Sequence, residues 1–160
     1  MSDANFVYLT KERLVELENE LKGYKIDGRK KIAAKIAEAR AHGDLSENAE
    51  YDAAKEEQGL FELKISKLED VLSRVRIINP KEFPQDEIHI LSKVSIKNLK
   101  TNKIFNYILV SAEEADFQAG KISVTSPVGK GLIGSKLGEK IKVQAPAGLL
   151  EFEILSIENE

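Results

Sequence analysis

From Tyr51 to Val75 the chain carries an unbroken three-four spacing: Tyr51, Ala54, Gln58, Phe61, Ile65, Leu68, Leu72 and Val75, with Gln58 its only polar member. A repeat averaging 3.5 residues keeps one narrow stripe of a helix facing a second helix. The partner is the preceding stretch, which starts near the capping residue Thr10 and places Leu14, Leu17, Leu21 and Tyr24 in the same spacing. Beyond Tyr24 the register slips, and the apolar face resumes at Ile32, Ile36 and Ala39. Steps of four in a row resemble a stutter, which locally unwinds a coiled coil. Gly23 and Gly28 fall in this weak region, each costing about 1 kcal/mol against alanine in a helix interior. A turn at Asp27-Gly28 would give three helices. One helix, with any kink at that point, is the favoured reading because the apolar face continues on both sides. Such a helix spans about 30 residues, or roughly 45 Å. Two helices sharing only a seam leave most of their surface exposed, and reach is the natural reason for that shape.

After Val75 the pattern changes. Asn79-Pro80-Lys81-Glu82-Phe83-Pro84 carries two of the four prolines and reads as a linker. Beyond it lie β-branched, alternating runs: Val94-Ser95-Ile96, Ile104 to Val110, Lys121 to Thr125, Ile141-Lys142-Val143, and Leu150 to Ile157. Thr101-Asn102 and Ala147-Gly148 supply turns, and Ser126-Pro127 opens a short helix through Ile133 that Gly134 ends. The predicted fold class is α+β. An antiparallel helical coiled-coil hairpin over 1–78 precedes a linker at 79–84 and a small α+β domain at 85–160.

Composition narrows the function. With 24 basic against 27 acidic residues and a net charge of -3, the chain lacks the cationic excess that holds nucleic acid by bulk electrostatics. It has no cysteine, which removes disulfides and thiolate metal sites. Nothing at Met1-Ser2-Asp3-Ala4-Asn5 reads as a signal peptide, and no run is long enough to span a bilayer. A soluble cytoplasmic protein with no membrane partner is expected.

Between the two helical stretches stands Gly43-Asp44-Leu45-Ser46-Glu47-Asn48-Ala49-Glu50-Tyr51. Ser46 is a plausible N-cap, which puts Glu47 in the first turn, where the helix dipole favours negative charge. Asp44 and Glu47 thus sit at the far end of the hairpin. Two carboxylates cannot enclose magnesium, which takes octahedral oxygen ligands and is usually held by one or two carboxylates together with substrate phosphates. They suit a ligand pair that completes a site elsewhere, as in two-metal phosphoryl chemistry. Spacing alone equally allows capping groups on a solvated turn. That plainer reading also suits Glu50 and Asp52, and His42 reads as a solvated turn residue.

Residues Ile36 to Tyr51, followed by Ala53-Ala54-Lys55-Glu56-Glu57-Gln58, closely resemble the bacterial transcript cleavage factors of the Gre family. Gly120 to Gly129 and Leu132-Ile133-Gly134 are similar to that family's C-terminal signature. The resemblance implies an FKBP-like second domain that docks on bacterial RNA polymerase. It implies a coiled coil that threads the secondary channel to the active centre. There Asp44 and Glu47 would stabilise a Mg2+ shared with the polymerase, whose own site hydrolyses backtracked nascent RNA near its 3′ end. The factor would act as a monomer, with no nuclease activity and no bound cofactor of its own. Arg40 and Lys55 match positions of a basic patch that contacts RNA, and Ser126 and Pro127 match residues near the polymerase contact. Thr125 departs from the acid or amide common before that Ser-Pro. The stalk lacks the dense arginine cluster of one branch of the family, which favours the other branch and its short cleavage products.

Three other readings remain at this point. A channel-blocking inhibitor of the same family would carry an altered tip, and here the acid pair is intact. A prolyl isomerase needs an aromatic pocket, and the second domain offers only Phe105, Tyr107, Phe117 and Phe152. A purely structural coiled coil leaves the acidic turn unexplained.

Overall fold

The computed structural model describes residues 6–41 and 48–159. In chain order the elements are β1 (Val7–Leu9), α1 (Lys11–Gly23), a π-helical segment (Tyr24–Gly28), α2 (Arg29–Ala41), α3 (Asn48–Ser73) and β2 (Val75–Ile77). Then follow β3 (Lys93–Asn98), β4 (Ile104–Val110), β5 (Lys121–Ser123), α4 (Pro127–Leu132), β6 (Lys140–Ala145) and β7 (Gly148–Glu158). Contacts group the chain into a hairpin unit, Glu12–Val75, and a sheet unit, Met1–Lys11 with Arg76–Glu160. The sequence reading set 1–78 with the hairpin, whereas β1 pairs with β2 and groups with the sheet unit.

Within the hairpin unit the two arms run antiparallel. Ion pairs join Lys25 to Glu69, Arg29 to Glu62 and Lys35 to Glu57, each at 2.8 Å, so one partner's number falls as the other's rises. The buried residues Leu17, Ile32, Ala54 and Ile65 all come from the predicted seam. The irregular stretch at Tyr24–Gly28 is neither a break nor a plain helix. Its backbone bonds skip one residue further, so that the Arg29 N–H reaches the Tyr24 carbonyl. This accounts for the stutter. From Tyr24 to Ile36, three successive steps of four overrun three steps of 3.5 by about 1.5 residues, and one wide turn absorbs most of that excess.

Gly28 lies in this stretch for a packing reason. A Cβ built there would fall 2.2 Å from Phe61 Cζ, so the ring of Phe61 occupies the space that any other side chain would need. The same ring meets Tyr24 edge-on, with centroids 5.7 Å apart, and Lys64 Nζ lies over the Tyr24 ring at 4.5 Å from its centroid. A glycine that looks like a helix-weakening residue is the hole for an aromatic knob.

The sheet unit is built on five strands in the order β5-β4-β3-β7-β6, with β4 and β5 parallel and the other neighbours antiparallel. Alternation puts Val94 and Ile96 of β3 opposite Tyr107 and Phe105 of β4, on the face that carries the core. Ile88, Val94, Ile96, Leu109, Ile122, Leu132, Val143, Phe152 and Ile154 form that core. α4 lies close to β6, where a Cβ at Gly131 would meet Val143 Cγ2 at 2.9 Å. A second tie runs through Asn159. Its carboxamide donates to the carbonyls of Pro84 and Glu87 and accepts from the Ser92 hydroxyl, pinning the segment that enters β3. The expected linker is itself ordered: Pro80–Glu82 forms a 3-10 turn capped by the Asn79 side chain.

Candidate site at the end of the hairpin

The predicted site residues fall into three groups. Asp44 and Glu47, with His42 and the proposed cap Ser46, lie outside the described residues. Arg40 and Lys55 stand on the two arms that flank that segment. Ser126 and Pro127 belong to the sheet unit.

Arg40 is the penultimate residue of α2, and its side chain crosses to α3. Nη2 donates to the Tyr51 hydroxyl at 3.3 Å, while the guanidinium carbon stands 5.5 Å from the Tyr51 ring centroid. The ring distance suits a cation held against an aromatic face, and the bond to the hydroxyl is a long one. The hydrogen bond from Arg40, and then its charge, pull the Tyr51 phenol below its ordinary pKa. The same bond raises that of Arg40. Tyr51 was legible only as the first residue of the seam. Numbering symmetrically about the acidic turn pairs 40 with 51, and that signal could have found the contact.

Lys55 is also engaged. Its Nζ donates at 2.8 Å to Oε1 of Gln58, the one polar residue in the α3 seam, so the lysine satisfies an amide that the seam leaves half-buried. Nearby, Lys35, Glu38, Ala39, Glu50, Ala53, Ala54 and Glu57 line an open groove of about 460 Å³ between the arms. The alanines allow close approach there, and the Lys35–Glu57 pair spans the groove. Among the described residues, no cluster of three or more potential metal ligands forms.

Ser126 and Pro127 behave as a helix start. The Ser126 hydroxyl accepts from the Gly129 N–H at 3.1 Å and donates to the Ser123 carbonyl at 2.6 Å, and Pro127 takes the first helical position. Gly129 is required, because a Cβ there would lie 2.1 Å from the Ser123 carbonyl oxygen. The Ser123 and Thr125 hydroxyls bond each other at 2.7 Å, giving a compact polar corner ahead of α4.

Two family models match this chain. "Transcription elongation factor, N-terminal" covers residues 7–77, and "Transcription elongation factor, GreA/GreB, C-term" covers residues 83–159. The chain belongs to the GreA/GreB family of transcription elongation factors. The first family region contains Arg40, Asp44, Glu47, Tyr51 and Lys55, and the second contains Ser126 and Pro127. Among curated family members, the transcription elongation factor GreA of Chlorobium phaeobacteroides (strain BS1) is 54% identical over 159 residues, 98% of each chain. The GreA of Amoebophilus asiaticus (strain 5a2) is 53% identical over 150 residues, 94% of this chain and 96% of its own. A solved GreA factor homolog of Thermus thermophilus is 28% identical, covering 96% of this chain and 99% of that one. Its TM-score of 0.44 is too low to inform the packing of this chain. Among the described residues, no helix of this family member is long and apolar enough to cross a membrane.

Proposed function

We infer that the chain acts on bacterial RNA polymerase. Its hairpin enters the secondary channel and stimulates the polymerase's own hydrolysis of backtracked nascent RNA near the 3′ end. The observation that carries this reading is an intact Asp44/Glu47 pair standing, in sequence, between the two antiparallel arms of a GreA/GreB family member. Asp44 and Glu47 would hold a Mg2+ shared with the polymerase. When bound, that ion supplies charge neutralisation and water activation. Two carboxylates are a donor set that suits this ion, which is usually held by one or two carboxylates together with substrate phosphates. The factor therefore has no nuclease activity of its own in this reading, and it works as a cytoplasmic monomer.

The chain's other candidates have narrower roles. Arg40 and Lys55 each spend a donor inside the hairpin. A guanidinium has five N–H donors and an ammonium three, which leaves donors free for an RNA phosphate. Ser126 and Pro127 shape the start of α4, a rigid corner suited to docking on the polymerase.

The test is a stalled, backtracked elongation complex with labelled RNA, magnesium and the purified protein. Rapid 3′-end shortening is expected, and Asp44→Ala and Glu47→Ala should each abolish the stimulation while still competing with the parent for polymerase. Equal cleavage by both variants would remove the acids from the mechanism. Blocked synthesis without cleavage would instead make the protein a channel inhibitor.

A further inference from the structure

We propose that Arg40 and Tyr51 form a positioning clasp, which fixes the separation and relative rotation of α2 and α3 where they flank residues 42–47. This rests on the proposed function, because the clasp matters to it only if Asp44 and Glu47 must be presented accurately to a second molecule. Three observations carry the inference. Arg40 is one residue from the end of the described part of α2, and Tyr51 lies in the first turn of the described part of α3. The pair makes two kinds of contact at once, a hydrogen bond at 3.3 Å and a cation-on-ring contact at 5.5 Å. Finally, the seam is thin just below it, where Ala39 and Ala54 replace the larger residues found further along.

A clasp is what such a place needs. Ile32 and Ile65 lock their own stretches of the arms by burial, but between Ile32 and Ala54 no large aliphatic side chain is buried among the described residues. Without a cross-link the facing turns at Arg40 and Tyr51 would be held by little buried apolar surface, and stretches with few buried contacts open most readily. The arginine fork and the phenol supply that link with polar atoms, and an exposed hairpin end can carry these without inviting aggregation. In this assignment Arg40 serves through Tyr51, so the basic residue acts as a positioning group even where it touches no RNA.

The test has two readouts that fail separately. For the first, labels are placed through Ala41→Cys and Ala49→Cys in a chain that has no native cysteine, and their separation is read by pulsed electron spin resonance. A narrow distribution is expected for the parent, a broad one for Arg40→Met and Tyr51→Leu, and an intermediate one for Tyr51→Phe, which keeps the ring and loses the hydroxyl. An unchanged distribution in the first two variants overturns the clasp, whatever the cleavage result.

The second readout is cleavage of the backtracked complex across factor concentrations. Arg40→Met and Tyr51→Leu should each lower the maximal rate by roughly 10-fold or more, the scale expected for small misplacement of a reacting group. For Tyr51→Leu the half-saturating concentration should stay put, Tyr51→Phe should lose less of the rate than Tyr51→Leu, and adding Tyr51→Leu to Arg40→Met should cause no further loss. Additive losses, or a fully active Tyr51→Leu, overturn the positioning role and leave Arg40 as a direct RNA contact. If the parent itself stimulates no cleavage, the proposed function fails, and the label measurement still decides the clasp.

Discussion

The sheet unit and the hairpin unit are held together by different means. Around Ile88, Leu109, Leu132 and Ile154 the sheet unit has a three-dimensional core, each residue fully or almost fully shielded from water. The hairpin buries only Leu17, Ile32, Ala54 and Ile65 among its described residues, strung along a line. A line of contacts has neighbours on one side only, so each hairpin contact is local and its loss is felt locally. A core is shared, and damage to it spreads. The arms accordingly rely on flank pairs such as Arg29 with Glu62 and on single packing events such as Phe61 over Gly28. Exposure at this scale suits a surface meant to be covered by another molecule, whereas the sheet unit is suited to keeping its own shape.

The largest test of this contrast is Ile154→Ala. Removing that side chain from a site 1% exposed should cost about 2–5 kcal/mol. Hydrogen exchange should speed up throughout β3, β4 and β7 while the amides of α2 and α3 keep their protection. Equal loss in both units would mean that they fold as one block. Next comes Gly28→Ala. Helix propensity alone favours alanine by about 1 kcal/mol, but the displaced Phe61 ring should reverse the sign and leave a net loss of about 1–3 kcal/mol. Urea titration followed by helical circular dichroism reads it, and a stabilised protein would break the knob-and-hole account.

Ser126→Ala should cost about 1 kcal/mol through the lost cap of α4, seen as faster exchange at Gly129 and Lys130. The smallest effect is electrostatic. Arg29, by its hydrogen bond and charge, holds the Glu62 carboxyl below its ordinary pKa. The hairpin therefore has this pair's full contribution above the ordinary carboxylate value and loses it as pH falls through the lowered one. The difference in stability between the parent and Glu62→Gln should be small at neutral pH, shrink with added salt, and vanish at low pH.

The same contrast explains what was legible in the sequence. The α3 seam was read residue by residue because a helix repeats its environment every 3.5 positions, and Phe61, Ile65 and Leu72 obey that rule. The strands β3 to β7 and the short α4 lie where alternation and turn residues put them. The π-helical segment showed only as a slipped register, since periodicity can report a misfit without naming the geometry that absorbs it. β1 and β2 were missed because three residues each, Val7-Tyr8-Leu9 and Val75-Arg76-Ile77, are too few to establish a period. Val75 also completes the three-four spacing of the seam, which hides the start of β2. At the candidate site Arg40 was visible as a charge, but its engagement with Tyr51 depends on a cross-arm pairing that neither helix reveals alone.

The wide turn at Tyr24–Gly28 has a consequence for how such a chain can change length. Each residue added to or removed from an α-helix turns everything beyond it by about 100°. A deletion within α2 would therefore swing Arg40 away from Tyr51 and bring charged residues into the seam. Within Tyr24–Gly28 the chain already carries one residue more than a regular helix would use, so losing Ile26 or Asp27 there would let an ordinary α-helix run through with the phase of Ile32, Ile36 and Arg40 largely kept. Among its described residues the first arm thus has a place where it can be shortened by a single residue without being rewritten, and that place lies far along the sequence from Asp44 and Glu47.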